Sequence, residues 1–158
     1  MLLQNINLKM KLSDYIIEFL AKKDIKYIFG ITGVSAVHLF DSISKNPNVE
    51  YICPQHEQTA AMAADAYSRL TNNFGVAITT SGPGATNLVT GVCCSYFDSI
   101  PTLMITGQVP LSQCKKDSKI RQIGFQETDI VEMFKPVTKY SKLIEDPYDI
   151  RYELEKAI

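Results

Sequence analysis

Apolar positions recur along this chain with two periods, and the two alternate. Residues 14–23 carry Ile16, Ile17, Phe19 and Leu20 at helical spacing, with Ser13 placed to cap the first turn. Residues 26–29 read as a short strand running into Gly30-Ile31-Thr32-Gly33. Helical spacing returns over 35–44 through Val37, Leu39, Phe40 and Ile43, until Asn46-Pro47-Asn48 breaks it. A second strand is expected at 49–53, where Val49, Tyr51 and Cys53 alternate. Pro54 ends it, having no amide to donate. From Glu57 the chain turns to Ala60, Ala61, Ala63, Ala64 and Ala66, all strong helix formers. A helix clothed in methyl groups invites close packing, here expected against a symmetry mate or a further domain.

Thr71-Asn72-Asn73 is turn chemistry, after which residues 75–80 form a buried strand ending in Ser81-Gly82-Pro83-Gly84. Residues 85–96 are helical, with Leu88, Val89, Val92 and Cys93 inward, and 101–106 make another strand closed by Gly107. The rhythm fails over 111–124, a polar, patternless stretch of the kind that is usually functional or mobile. A short helix at 127–134, a strand at 136–143 and a helix opened by Asp146-Pro147 complete the reading. That helix still runs at Ile158, where a doubly wound domain would feed a further strand, so a C-terminal truncation is expected. Strand, glycine corner and helix alternate without hairpin signals. The fold class is therefore α/β: a doubly wound, mainly parallel sheet with helices on both faces.

Composition narrows the function. The 158 residues suit a short N-terminal extension (1–10) and one domain (11–158), and 46% hydrophobic with 21% charged residues is ordinary for a globular protein. A net charge of −1 leaves no electrostatic footprint for nucleic acid. Lys115, Lys116, Lys119 and Arg121 read as a solvated loop. No run reaches the roughly 18 apolar residues of a membrane span. The first ten residues are too short and polar for a secretory signal, which points to the cytoplasm, and Met10 offers an alternative start. Cys53, Cys93, Cys94 and Cys114 have no metal-type spacing and suit reduced thiols.

The candidate chemistry sits at the corners. Glu57 opens a helix at the end of a strand, where open α/β sheets bind ligands. Taken alone, such a carboxylate is merely favourable with the helix dipole, His56 is a hydrogen-bonded neighbour, and Ser81–Gly84 is a tight turn. His38 and Asp98 are read as structural. There is no GxGxxG, no P-loop, no Gly-x-Ser-x-Gly elbow and no HExxH. Yet three strands end in ligand-type corners, at 30–33, 54–57 and 81–84, and together they mark one end of the sheet as a candidate site.

Those corners resemble the N-terminal, pyrimidine-binding domain of thiamine-diphosphate enzymes of the acetolactate synthase type. The resemblance rests on IFGITG (28–33), QHEQTAAMAADAYSR (55–69), TTSGPGATNLVTG (79–91), DSIPTLMITGQVP (98–110) and GFQETDIVEMFKPVTKYS (124–141). It implies that Glu57 is the catalytic carboxyl, which exchanges a proton with the cofactor's pyrimidine and so activates its thiazolium carbon. Gly33, Pro83 and Asn87 would line the cofactor, with Gln126 beside them, and Phe125 and Gln126 would face the substrate. In such enzymes diphosphate and Mg²⁺ are held by a Gly-Asp-Gly segment on a separate C-terminal domain, facing this domain of a second subunit. No Gly-Asp-Gly occurs here, so this chain is expected to contribute no metal ligand, to pair as a homodimer or higher oligomer, and to be inactive alone. FAD is a further cofactor that the resemblance allows.

The substrate implied is a small 2-oxo acid, with pyruvate as donor. Departures leave the acceptor open. Ile31-Thr32-Gly33 stands where Tyr-Pro-Gly or Ile-Pro-Gly is usual, and Gln55 where arginine is common. The stretch between Pro110 and Phe125 is longer than in ordinary acetolactate synthases. Its RQIGFQE ending is closer to enzymes encoded with surface-polysaccharide genes, where the acceptor can be a keto sugar. A split subunit completed by a separate diphosphate-binding chain, and a degenerate domain kept for assembly, are the alternatives. The intact Glu57 argues against the last.

Overall fold

The computed structural model describes residues 10–116 and 118–158, so the expected extension at 1–10 lies, apart from Met10, outside the described residues. Four strands, β1 (Tyr27–Gly30), β2 (Glu50–Ile52), β3 (Gly75–Thr79) and β4 (Thr102–Thr106), pair in parallel in the order β2-β1-β3-β4. Side chains alternate across such a sheet, and the two faces build two cores. Ile28, Val76 and Ile78 point to one face, where Ile16, Ile17 and Leu20 of α1 (Leu12–Lys22) and Phe40 and Ile43 of α2 (Val37–Lys45) cover them. Ile150 and Leu154 of α7 (Ile150–Ala157) join that cluster. Phe29 and Ala77 point to the other face, under Ala60, Ala61 and Ala64 of α3 (Glu57–Thr71) and Val92 of α5 (Val89–Phe97). Phe134, at the end of α6 (Ile130–Phe134), completes this second cluster. The sheet is thus doubly wound, with helices on both faces. Among the described residues no helix is long and apolar enough to cross a membrane.

Several elements differ from the sequence expectation, each for a local reason. Ser13 does not cap α1. It lies inside the helix, buried, and its Oγ is 2.9 Å from that of Ser42, which also lies 2.6 Å from the Asp14 carboxylate. The expected helix at 85–96 is two, because α4 (Pro83–Thr86) ends at Asn87 before α5 begins. The helix expected from 127 starts only at Ile130, where the Asp129 carboxylate caps the Glu132 amide at 3.2 Å. Residues 136–143 form no strand. Pro136 sits in a single turn of 3₁₀ helix, Lys135–Val137, and the hydroxyls of Thr138 and Ser141 donate to the carbonyls of Phe134 and Val131. These two bonds tie the segment back to α6.

Three of the five alanines of α3 pack within this chain, while Ala63 is half-buried and Ala66 exposed. Ala60, Ala61 and Ala64 are fully buried within this chain. A methyl on Gly75 of β3 would fall 1.8 Å from the Ala64 carbonyl oxygen, and one on Gly91 of α5 would fall 2.4 Å from the Ala61 side chain. Glycine on β3 and α5 and alanine on α3 let backbone approach backbone. Asp65, on the same helix, accepts from Ser95 of α5 at 2.8 Å and pairs with Arg69 at 2.6 Å. Arg69 extends to Asp98 at 2.5 Å, a partner that the sequence did not suggest. The four cysteines are free thiols.

Candidate functional site

In the order β2-β1-β3-β4 the chain reverses direction across the sheet between β1 and β3. Such a switch point opens a crevice at the carboxyl ends of the strands. Here the strand ends deliver three corners to one place. After β1 the chain passes Gly33 and enters a 3₁₀ turn, Val34–Ala36. Ser35 is the clasp: its amide donates to Thr80 Oγ1 at 3.3 Å, and its hydroxyl lies 2.9 Å from that of Ser81. A methyl on Gly33 would come within 2.4 Å of Thr80 Cβ, and one on Gly107, after β4, within 2.4 Å of the Ser35 carbonyl oxygen. Only hydrogen fits at these crossings.

The third corner supplies the carboxylate. His56 has extended backbone and its Nδ1 accepts from the Gln58 amide at 3.1 Å, so the ring caps α3, as the simpler reading had it. Glu57, the first residue of α3, is then held half-buried at the helix mouth. Its Oε2 accepts from Asn87 Nδ2 at 2.9 Å. Its Oε1 has no protein hydrogen-bond partner among the described residues, and lies 3.4 Å from where a Gly84 methyl would sit. Asn87 is placed by the corner itself. Gly82 turns with φ +60°, a region that L side chains disfavour, and Pro83 starts α4 at a position where its missing amide costs nothing.

Gln126 closes the far side. Its own φ is +58°, and its carbonyl oxygen would lie 2.6 Å from a methyl on Gly82. A non-glycine residue held in this region costs about 1–3 kcal/mol, so surrounding contacts must enforce it. They come from Glu127. Its carboxylate accepts the amides of Lys115 at 2.5 Å and Ile123 at 2.9 Å, and those two amides, Ile123 foremost, hold the carboxyl below the ordinary carboxylate range. Glu127 was no sequence candidate, because its partners are backbone amides 12 and 4 residues away, which carry no side-chain signature. Of the expected site residues, Gly33, Glu57, Pro83, Asn87 and Gln126 thus lie along one continuous set of contacts. Phe125 does not join them: it is 79% exposed. Among the described residues no group of three or more His, Cys, Asp or Glu side chains is placed to hold a metal ion.

A carboxyl with one oxygen fixed and the other open, at the switch point of a parallel sheet, is a candidate ligand-facing group of an α/β domain. Residues 10–133 match the family model of the thiamine pyrophosphate enzyme N-terminal TPP-binding domain, and the chain belongs to that family. It is similar to the acetolactate synthase large subunit of Cyanidium caldarium, at 42% identity over 145 residues, 90% of this chain and 24% of that protein. The probable acetolactate synthase large subunit of Methanocaldococcus jannaschii is 40% identical over 141 residues, 89% of this chain and 23% of that protein. The chloroplastic acetolactate synthase of Arabidopsis thaliana is 35% identical over 145 residues, 92% and 21% respectively. The chain spans about a quarter of the length of these relatives.

Proposed function

We propose that this chain is the pyrimidine-binding part of a thiamine-diphosphate-dependent 2-oxo-acid decarboxylase and carboligase, with pyruvate as donor. The observation that carries the reading is the Glu57–Asn87 pair, with Oε2 fixed and Oε1 left for a ligand. When bound, thiamine diphosphate supplies the electron sink on which a 2-oxo acid loses carbon dioxide. This chain's residues do the rest. Glu57 holds or gives up a proton at Oε1 toward a pyrimidine nitrogen, and Asn87 keeps the carboxyl from rotating away. Pro83 and Gly33 shape the walls, and Gln126 borders the space from the 82–84 corner. Phe125, exposed here, is assigned to the substrate side, where a further domain or subunit covers it.

Residues 1–158 contain no Gly-Asp-Gly segment, so diphosphate and Mg²⁺ are assigned to a further C-terminal domain, the assembly to at least a homodimer, and the isolated chain to inactivity. Four free thiols suit a reducing compartment, and the cytoplasm is proposed. The test is carbon dioxide release from pyruvate by the intact protein after removal and re-addition of thiamine diphosphate and Mg²⁺. Release should require both. Product analysis with a second 2-oxo acid and with a keto sugar then assigns the acceptor. Release that persists without the cofactor would overturn the proposal.

A further inference from the structure

Residues 111–124 gave no pattern in the sequence, yet the structure ties this loop down at one side chain. Glu127 bridges the Lys115 and Ile123 amides with its two carboxylate oxygens. Its own amide donates to the Gly124 carbonyl at 3.2 Å, and the Gly124 amide donates to the Gln113 carbonyl at 2.9 Å. Gly124 is pressed on Val109, where a methyl would lie 2.7 Å from Cγ1. The turn 123–127 is therefore held from three directions. Gln126, inside it, keeps its left-handed backbone with its carbonyl on Gly82.

We infer that Glu127 is a positioning residue: its carboxylate staples the Lys115 amide to the Ile123 amide and so fixes Gln126 against the Gly82 corner that borders Glu57. The inference rests on the cofactor reading only for what Gln126 then does. The Glu127 carboxylate bonds backbone amides and not Glu57, and acts through the turn. A carboxylate is needed because both partners are donors. An amide in its place would accept one N–H and point its own NH₂ at the other.

The experiment compares wild type, Glu127→Gln and Glu127→Asp in the intact protein. Hydrogen exchange reads the staple at the Lys115 and Ile123 amides. Steady-state kinetics with pyruvate read kcat and KM, and calorimetry with thiamine diphosphate and Mg²⁺ reads the cofactor Kd. In Glu127→Gln the amide left facing the NH₂ should lose about tenfold in protection, the ratio for one charge-assisted hydrogen bond. kcat/KM should fall about tenfold while the cofactor Kd stays within about twofold, because the Glu57–Asn87 pair is untouched. Glu127→Asp, which keeps the charge but not the reach, should fall between the two. The protection gap between wild type and Glu127→Gln should close as pH falls through the carboxyl's lowered range, since a protonated Glu127 offers what glutamine offers. Unchanged protection, lost protection with unchanged kcat/KM, or a cofactor Kd that collapses with kcat/KM would each overturn the inference. A wild type that binds no thiamine diphosphate would overturn the cofactor reading and the positioning claim with it, and the exchange data would still judge the staple.

Discussion

Replacing Glu57 by glutamine separates chemistry from architecture at this site. In the structure Oε2 accepts from Asn87 Nδ2 at 2.9 Å, and a glutamine side chain can keep that bond by offering its carbonyl oxygen. Its NH₂ then stands where Oε1 stood, facing Gly84. That group donates but cannot take up and return a proton. General acid–base catalysis contributes typically 10²–10⁴-fold, or about 3–5 kcal/mol at 1.36 kcal/mol per tenfold. The expected loss in proton exchange at the thiazolium carbon of bound cofactor is of that order. Stability should hardly move. The Asn87 bond is kept by the glutamine carbonyl, so any change stays within about 1 kcal/mol, the net worth of one hydrogen bond. The assay is deuterium exchange at the thiazolium carbon by quenched flow and proton NMR, on the intact protein loaded with thiamine diphosphate and Mg²⁺, with calorimetric Tm alongside. Exchange at the wild-type rate in Glu57→Gln would refute the role of Glu57. A fall in both exchange and Tm by 10 °C or more would mean that the residue is architectural.

Asn87→Ala removes the only side-chain donor to the Glu57 carboxyl among the described residues, and the same exchange rate should fall about tenfold, the worth of one hydrogen bond. Gly75→Ala would set a methyl 1.8 Å from the Ala64 carbonyl oxygen, a clash with backbone that no rotamer relieves. It should destabilise by about 3 kcal/mol in urea unfolding, the upper end for overpacking. Asp41, held by Lys45 at 2.7 Å and Lys11 at 2.9 Å, has its carboxyl lowered from 3.8 to about 2. A depressed folded value stabilises above the unfolded one and is lost as pH falls through the folded one, so the Tm gap between wild type and Asp41→Asn should shrink between about pH 4 and pH 2.

What could be read from the chain and what could not divide along a physical line. The α/β class, the end of the sheet that carries the candidate site and the place of Glu57 all follow from local rules: period, proline and glycine punctuation, and helix starts. Glu57 is legible because the strand, Pro54 and the alanine run that place it are its sequence neighbours. Asn87 was reached only through resemblance, since its bond to Glu57 spans 30 residues. The Ser35 clasp on Thr80 and Ser81 spans 45 and 46, and nothing in a serine marks which hydroxyl it will meet. The same ignorance of partners produced the errors. Residues 136–143 have a strand-like composition, but Thr138 and Ser141 spend their hydroxyls on α6. Nor did the sequence show that Ala61 and Ala64 of α3 would meet glycines of this chain, because Gly75 and Gly91 lie on β3 and α5 and look like ordinary punctuation. Small residues report that something packs closely and not what does. Side chains with a long-range partner therefore carry most of the positioning in this candidate site, while Glu57, the residue proposed to carry the chemistry, is the one whose placement is local.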